Sequence, residues 1–169
     1  AYTSGLIHRL SQFSSKAFDY MIYHTSSQYD YYKEYFPWLK DKCKFIPFGV
    51  DYDYWKLKTY KDIPEKNQYI VCVGYRKRDW NTLLEAFGRS DISENLYLIG
   101  NPNIKCDNPK VKVLPFIPID ELMTYIVNAK FSVVPLDDFN YSFGQMTLLQ
   151  QMALGVPILA ADVPAIRDY

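Results

Sequence analysis

The sequence predicts an α/β fold, a parallel sheet with helices packed on its faces. Short apolar runs too brief for helices, such as Tyr69–Val73, Asn95–Ile99 and Phe131–Val134, read as buried strands. Stretches with helical apolar spacing separate them, which is the alternation of βαβ units. The clearest unit spans residues 131–168: strand, polar loop, helix, tight turn, strand. There Leu148 pairs with Met152 and Leu149 with Ala153 at helical spacing, and Gly155 stands where a helix ends. A helix that starts beside the carboxyl end of a strand offers backbone N–H groups and a positive dipole end, an anion site.

In chain order, residues 3–17 carry Leu6, Leu10, Phe13 and Ala17 on one line and predict an amphipathic helix. Residues 18–24 read as a strand. Thr25, Ser26 and Ser27 offer an N-cap to a helix over 28–36, which Pro37 ends. A short strand follows at 44–46. Residues 47–67 hold Pro47, Gly49 and a lysine-rich polar run, the composition of a linker. The strand 69–73 then turns at Gly74 into a basic Arg76-Lys77-Arg78 segment and a helix from Trp80 to Phe87. Strands at 95–99 and 111–114 precede a helix that starts near Pro118, with Asp120 and Glu121 suited to its dipole.

Composition narrows the function. The 169 residues are 49% apolar with a formal net charge of zero, which argues against nucleic acid as a bulk electrostatic partner. No apolar run has the length of a membrane span, and no signal peptide is recognisable. Cys43, Cys72 and Cys106 form no metal or disulfide spacing, so a reducing cytoplasm is the expected setting. No glycine-rich dinucleotide fingerprint follows the first strand of the sheet. His8 and His24 are tied to no chemistry by their spacing; His24 reads as a packed or capping residue.

The proline-ended strand, acidic loop, Phe143-Gly144, Leu148-Leu149, Met152-Ala153-Leu154-Gly155 and Pro157-Ile158 together resemble the donor-binding half of GT-B-fold glycosyltransferases. These are the large group related to glycogen synthases and bacterial mannosyltransferases. Further stretches agree in order. Ile46-Pro47-Phe48-Gly49-Val50-Asp51 resembles the family's crossing between an N-terminal acceptor domain and a C-terminal donor domain. Gly74 with Leu83, Leu84 and Ala86 resembles its strand–turn–helix, with Arg78 on the position of a family lysine and Tyr75 on that of a family arginine. Residues 115–129 resemble its turn against the nucleobase, and Asp162, Val163 and Ile166–Tyr169 its loop after the next strand.

The resemblance implies a division into residues 1–46, the last helix–strand–helix part of the acceptor domain; 47–67, an interdomain linker; and 68–169, a donor domain incomplete at its C-terminus. It implies transfer of a sugar from a UDP- or GDP-sugar to a carbohydrate or lipid-linked acceptor with retention. The base would lie at Phe116 and Ile117, and the ribose at Gln150, where the family has its second glutamate. Gly74, Arg76, Arg78 and the helix start at Gly144, Gln145, Met146 and Thr147 would hold the diphosphate. Asp138 and its loop would face the sugar, and the family's first glutamate falls near Asn140 or Tyr141. The basic turn also reads as an ordinary solvated turn, and Gln150 as a surface glutamine. No obligatory metal is implied, and the location is cytoplasmic, with peripheral membrane contact allowed through the absent domain. Lost glutamates leave open a non-catalytic nucleotide-binding or scaffold subunit.

Overall fold

A computed structural model describes residues 5–56, 60–101, 103–138 and 142–169. The chain forms two compact units. The first comprises described residues of 5–48, Asp138, Ser142 and 162–169; the second, 49–137 and 143–161 without the undescribed positions.

The first unit contains α1 (Gly5–Ser15), β1 (Met21–Tyr23), α2 (Ser27–Tyr35), a 3-10 turn (Pro37–Leu39) and β2 (Cys43–Phe45). β1 and β2 pair in parallel, Met21 opposite Cys43 and Tyr23 opposite Phe45. The helix expected over 3–17 forms, but its apolar line does not face the unit: Leu6 is 72% and Phe13 76% exposed. It is the polar side that is seated. His8 lies edge-on to Tyr35 and Phe36, Gln12 donates to the Tyr35 carbonyl, and Ser15 is buried beneath Trp38 Nε1. Ser26 occupies the N-cap position of α2, yet its side chain makes no capping bond. Instead its N–H donates to the Asp168 carboxylate at 2.7 Å, a negative group at a helix start.

The second unit begins with α3 (Tyr52–Lys56), a short helix inside the segment read as linker. Asp51 Oδ1 accepts from the Tyr54 N–H, and Trp55 is buried against Met123 and Ala153. Then follow β3 (Tyr69–Val73), α4 (Trp80–Arg89), β4 (Asn95–Ile99), β5 (Val111–Leu114), α5 (Ile119–Asn128), β6 (Phe131–Val134), α6 (Gln145–Ala153) and β7 (Ile158–Ala160). The five strands run parallel in the order β5-β4-β3-β6-β7. Tyr69 pairs with Asn95 and Val73 with Ile99, while Ile70 pairs with Phe131. Order reverses beside β3, and ligands of open α/β sheets bind outside the strand ends at such a switch point.

Alternation along the central strands makes two cores. Tyr69, Val71 and Val73 with Tyr97 and Ile99 pack under α5, where the Tyr69 and Tyr97 rings stack at 4.2 Å. Ile70 and Cys72 with Leu96 and Leu98 pack under α4, whose Phe87, Leu83 and Leu84 meet them. β3 is buried at every position, which is why its sequence is an unbroken apolar run. Gly155, at φ +71°, ends α6 as expected.

Candidate functional site

The carboxyl ends of β3, β4, β5 and β6 in the second unit carry most of the residues singled out in the sequence. β3 runs into Gly74, whose N–H still donates to the Ile99 carbonyl, so the ladder continues one residue past the strand. The chain then turns through Lys77, at φ +52°, and the turn pairs with the segment after β6. Arg78 bridges Leu136, the Asp79 N–H donates to the Pro135 carbonyl, and the Asp137 N–H donates to Lys77. Asp79 caps α4 by accepting the Thr82 N–H at 3.0 Å, and that bond holds its carboxyl below the usual range.

Arg78 is the buried cation of this turn, only 8% exposed. Its Nε and Nη2 donate to the Val73 carbonyl at 3.2 and 3.1 Å, and its Nη1 to the Arg76 carbonyl at 3.0 Å. Nη2 also reaches Thr147 Oγ1, at 3.4 Å, in the first turn of α6. Among the described residues no carboxylate pairs with it. Burial pulls its pKa down, but a guanidinium remains charged at neutral pH. The Cys72 thiol beneath is pushed up to about 12 by burial, against the pull of Arg78, and stays protonated. Gly74 makes room for this arrangement. A Cβ there would stand 2.6 Å from Arg78 Nη2, and φ is +109°, where side chains are strained.

α6 starts at Gly144, which sits at φ +88° against the Leu136 side chain. The first helical bond runs from Leu148 to the Gly144 carbonyl. Amides of the first turn, Met146 and Thr147 among them, therefore have no acceptor within the helix. Gln145 is buried and Met146 exposed. On the other side of β3, Arg76 is exposed and lies 5.3 Å over the Tyr75 ring, which meets Phe116 edge-on at 5.2 Å. Phe116 in turn rests on Gly100 at the end of β4, and Ile117 packs partly into the core.

The structure thus gathers Gly74, Arg76, Arg78, Phe116, Ile117, Gly144, Gln145, Met146 and Thr147 in one unit. Gln150 is half-buried on α6 and its side chain makes no hydrogen bond among the described residues. Asp138 is exposed and belongs to the first unit. Asn140 and Tyr141 lie outside the described residues, as do 57–59 of the expected linker. Two residues of the site's surroundings were not legible in the sequence. Tyr75 completes the aromatic edge, and its signal was only that it replaces a basic residue. Gln151 is fully buried with neither side-chain polar atom partnered among the described residues, and nothing in a helical pattern separates it from its neighbour Gln150. Among the described residues no three His, Cys, Asp or Glu side chains cluster, and no helix is long and apolar enough to cross a membrane.

A family model described as "Glycosyl transferases group 1" matches residues 67–169. No curated protein matches the chain. Solved structures do. The Anabaena protein Alr3699/HepE in complex with UDP-glucose aligns at TM-score 0.70 and 14% identity, over 95% of this chain and 50% of its own. A glycosyltransferase from Rickettsia africae ESF-5 aligns at 0.68 and 14%, over 90% and 48%. An alpha-glucosyltransferase in complex with UDP and a 13-mer DNA aligns at 0.58 and 14%, over 86% and 46%. At such identities the likeness is one of fold, and the chain spans about half the length of these structures.

Proposed function

The chain belongs to the glycosyl transferases group 1 family, and on that premise we propose that it forms the donor-binding part of an enzyme that transfers a sugar from a nucleoside-diphosphate sugar. The carrying observation is Arg78: a buried guanidinium that no carboxylate pairs with among the described residues, beside the start of a helix. Burying a cation without a counter-charge is costly, and an anion at the strand ends would offset that cost. A diphosphate does so while accepting from first-turn amides of α6. In transfer, the departing diphosphate gains negative charge, and fixed positive groups stabilise that charge most in the transition state.

In this reading the base lies at Phe116 and Ile117, and the ribose hydroxyls at Gln150. The diphosphate lies at Gly74, Arg76, Arg78 and the Gly144–Thr147 turn. Residues 1–46 would belong to an acceptor domain, 47–67 to the linker and 68–169 to the donor domain. We favour a UDP-sugar over a GDP-sugar because similar folds hold UDP or UDP-glucose. Retention at the anomeric carbon and a carbohydrate or lipid-linked acceptor follow from the family resemblance. One observation favours a second reading, a nucleotide-binding subunit without catalysis: Gln150 offers a neutral amide where the family carries a carboxylate.

Calorimetric titration with UDP, UDP-glucose, GDP and CMP tests the proposal. UDP and its glucose conjugate are expected to bind, and Arg76→Ala to weaken them about tenfold, the order of one charge-assisted contact. Equal, weak binding of every nucleotide, unaffected by Arg76→Ala, would remove the donor site from this edge.

A further inference from the structure

The two arginines of the basic turn are placed for different work. Arg76 is exposed, and among the described residues its guanidinium meets only the Tyr75 ring. Arg78 is buried, and three of its nitrogens are engaged by Val73, Arg76 and Thr147. Those partners lie on three parts of the site. Val73 is the last residue of β3, the Arg76 carbonyl belongs to the turn, and Thr147 to the first turn of α6. A planar fork that spans three such acceptors sets the spacing between the turn and the helix start. The room for that fork is created by Gly74, whose missing Cβ would collide with it.

We infer that Arg78 is a positioning residue of the proposed donor site, holding the Gly74–Lys77 turn and the start of α6 in register, and that Arg76 is the side chain that touches the anion. The inference rests on the donor reading only for what the site binds; the tie between turn and helix stands on the free protein. Its consequence is that charge alone does not replace Arg78. A lysine keeps the positive charge but has one point of donation instead of a fork, so it cannot hold the Val73 and Arg76 carbonyls and Thr147 together. Small misplacements of a binding group are costly in a preorganised site.

Amide hydrogen exchange of the free chain, followed by UDP titration, tests this in Arg78→Lys, Thr147→Val, Thr147→Ser and Arg76→Lys. In Arg78→Lys the hydrogen-bonded amides of the turn, Gly74, Asp79 and Asp137, and of the helix start, Leu148, are expected to exchange at least about tenfold faster, while those of β4 keep their rates. UDP affinity should fall about tenfold as well. Thr147→Val should loosen the same two segments, Thr147→Ser should restore them, and Arg76→Lys should leave exchange unchanged. Wild-type exchange in Arg78→Lys, or equal loosening by Ser and Val at 147, would overturn the inference. Should Arg78→Lys loosen β4 too, Thr147→Val decides: unchanged exchange at Gly74, Asp79 and Asp137 would overturn it. If the wild type takes no UDP, the donor reading fails, while the exchange rates still decide the positioning role.

Discussion

Gly74 and Arg78 are one device at the scale of residues. The glycine's φ of +109° and the 2.6 Å approach a Cβ would make to Nη2 both act against any side chain at 74. Gly74→Ala is therefore expected to cost about 1–3 kcal/mol in urea unfolding, the range for a strained backbone position. A cost near zero would mean that the guanidinium swings away freely and fixes nothing. Thiol reactivity probes the ground beneath it. Cys72 is buried, with its pKa raised to about 12, whereas Cys43 and Cys106 are partly accessible. Because the thiolate is the reactive form, native protein at pH 8 should titrate two thiols with a disulfide reagent and the third only on unfolding. The sign for stability follows from the raised value. Cys72 favours the folded state below the ordinary thiol pKa, and that contribution is lost as pH rises towards 12. The sequence showed an apolar strand around Cys72 and a basic run beyond Gly74. It did not show their connection, because Arg78 bonds to backbone carbonyls and to a threonine 69 positions away, partners that leave no mark in the residue types.

Among the elements, α4 and α6 supply the site with its two helix starts. Asp79 caps α4 through the Thr82 N–H, and its carboxyl is held below the ordinary range. Asp79→Ala should lower the thermal midpoint at neutral pH. The difference from wild type should shrink as pH falls through the depressed aspartate pKa, since that contribution is present only while the group is ionised. A pH-independent difference would assign the effect to something other than the cap. The strands at 69–73, 95–99 and 131–134 were legible to the residue because burial on both faces leaves short, almost wholly apolar runs, whereas 111–114 is an edge strand with Lys112 exposed and reads only from its valine–leucine alternation. Other elements were less so. α3 hides in a polar segment because five residues, three of them aromatic, show no period, and it is Trp55's burial against Met123 and Ala153 that anchors it. α1 was predicted from its periodicity, and the helix forms with its apolar line exposed. Spacing reveals that an apolar face exists and says nothing of what covers it.

For the whole molecule, the uncovered face of α1 carries a consequence. Leu6, Ile7, Leu10 and Phe13 are exposed together, and contiguous apolar surface promotes association. Sedimentation should show self-association rising with concentration, reduced in Leu10→Glu; a strictly monomeric chain at high concentration would contradict this. The parallel sheet and its family were readable as a whole, since order of elements and motifs survive substitution. The donor was not, because the proposed partners, backbone amides and the Arg76 guanidinium, would recognise charge and shape without naming a base. Whether the carboxyl edge of the five-stranded sheet holds a nucleoside diphosphate is decided by backbone NMR during a UDP titration. Saturable shifts are expected at residues 74–78, 116–117 and 144–147. Shifts confined to other parts of the chain, or none at millimolar UDP, would contradict such a site.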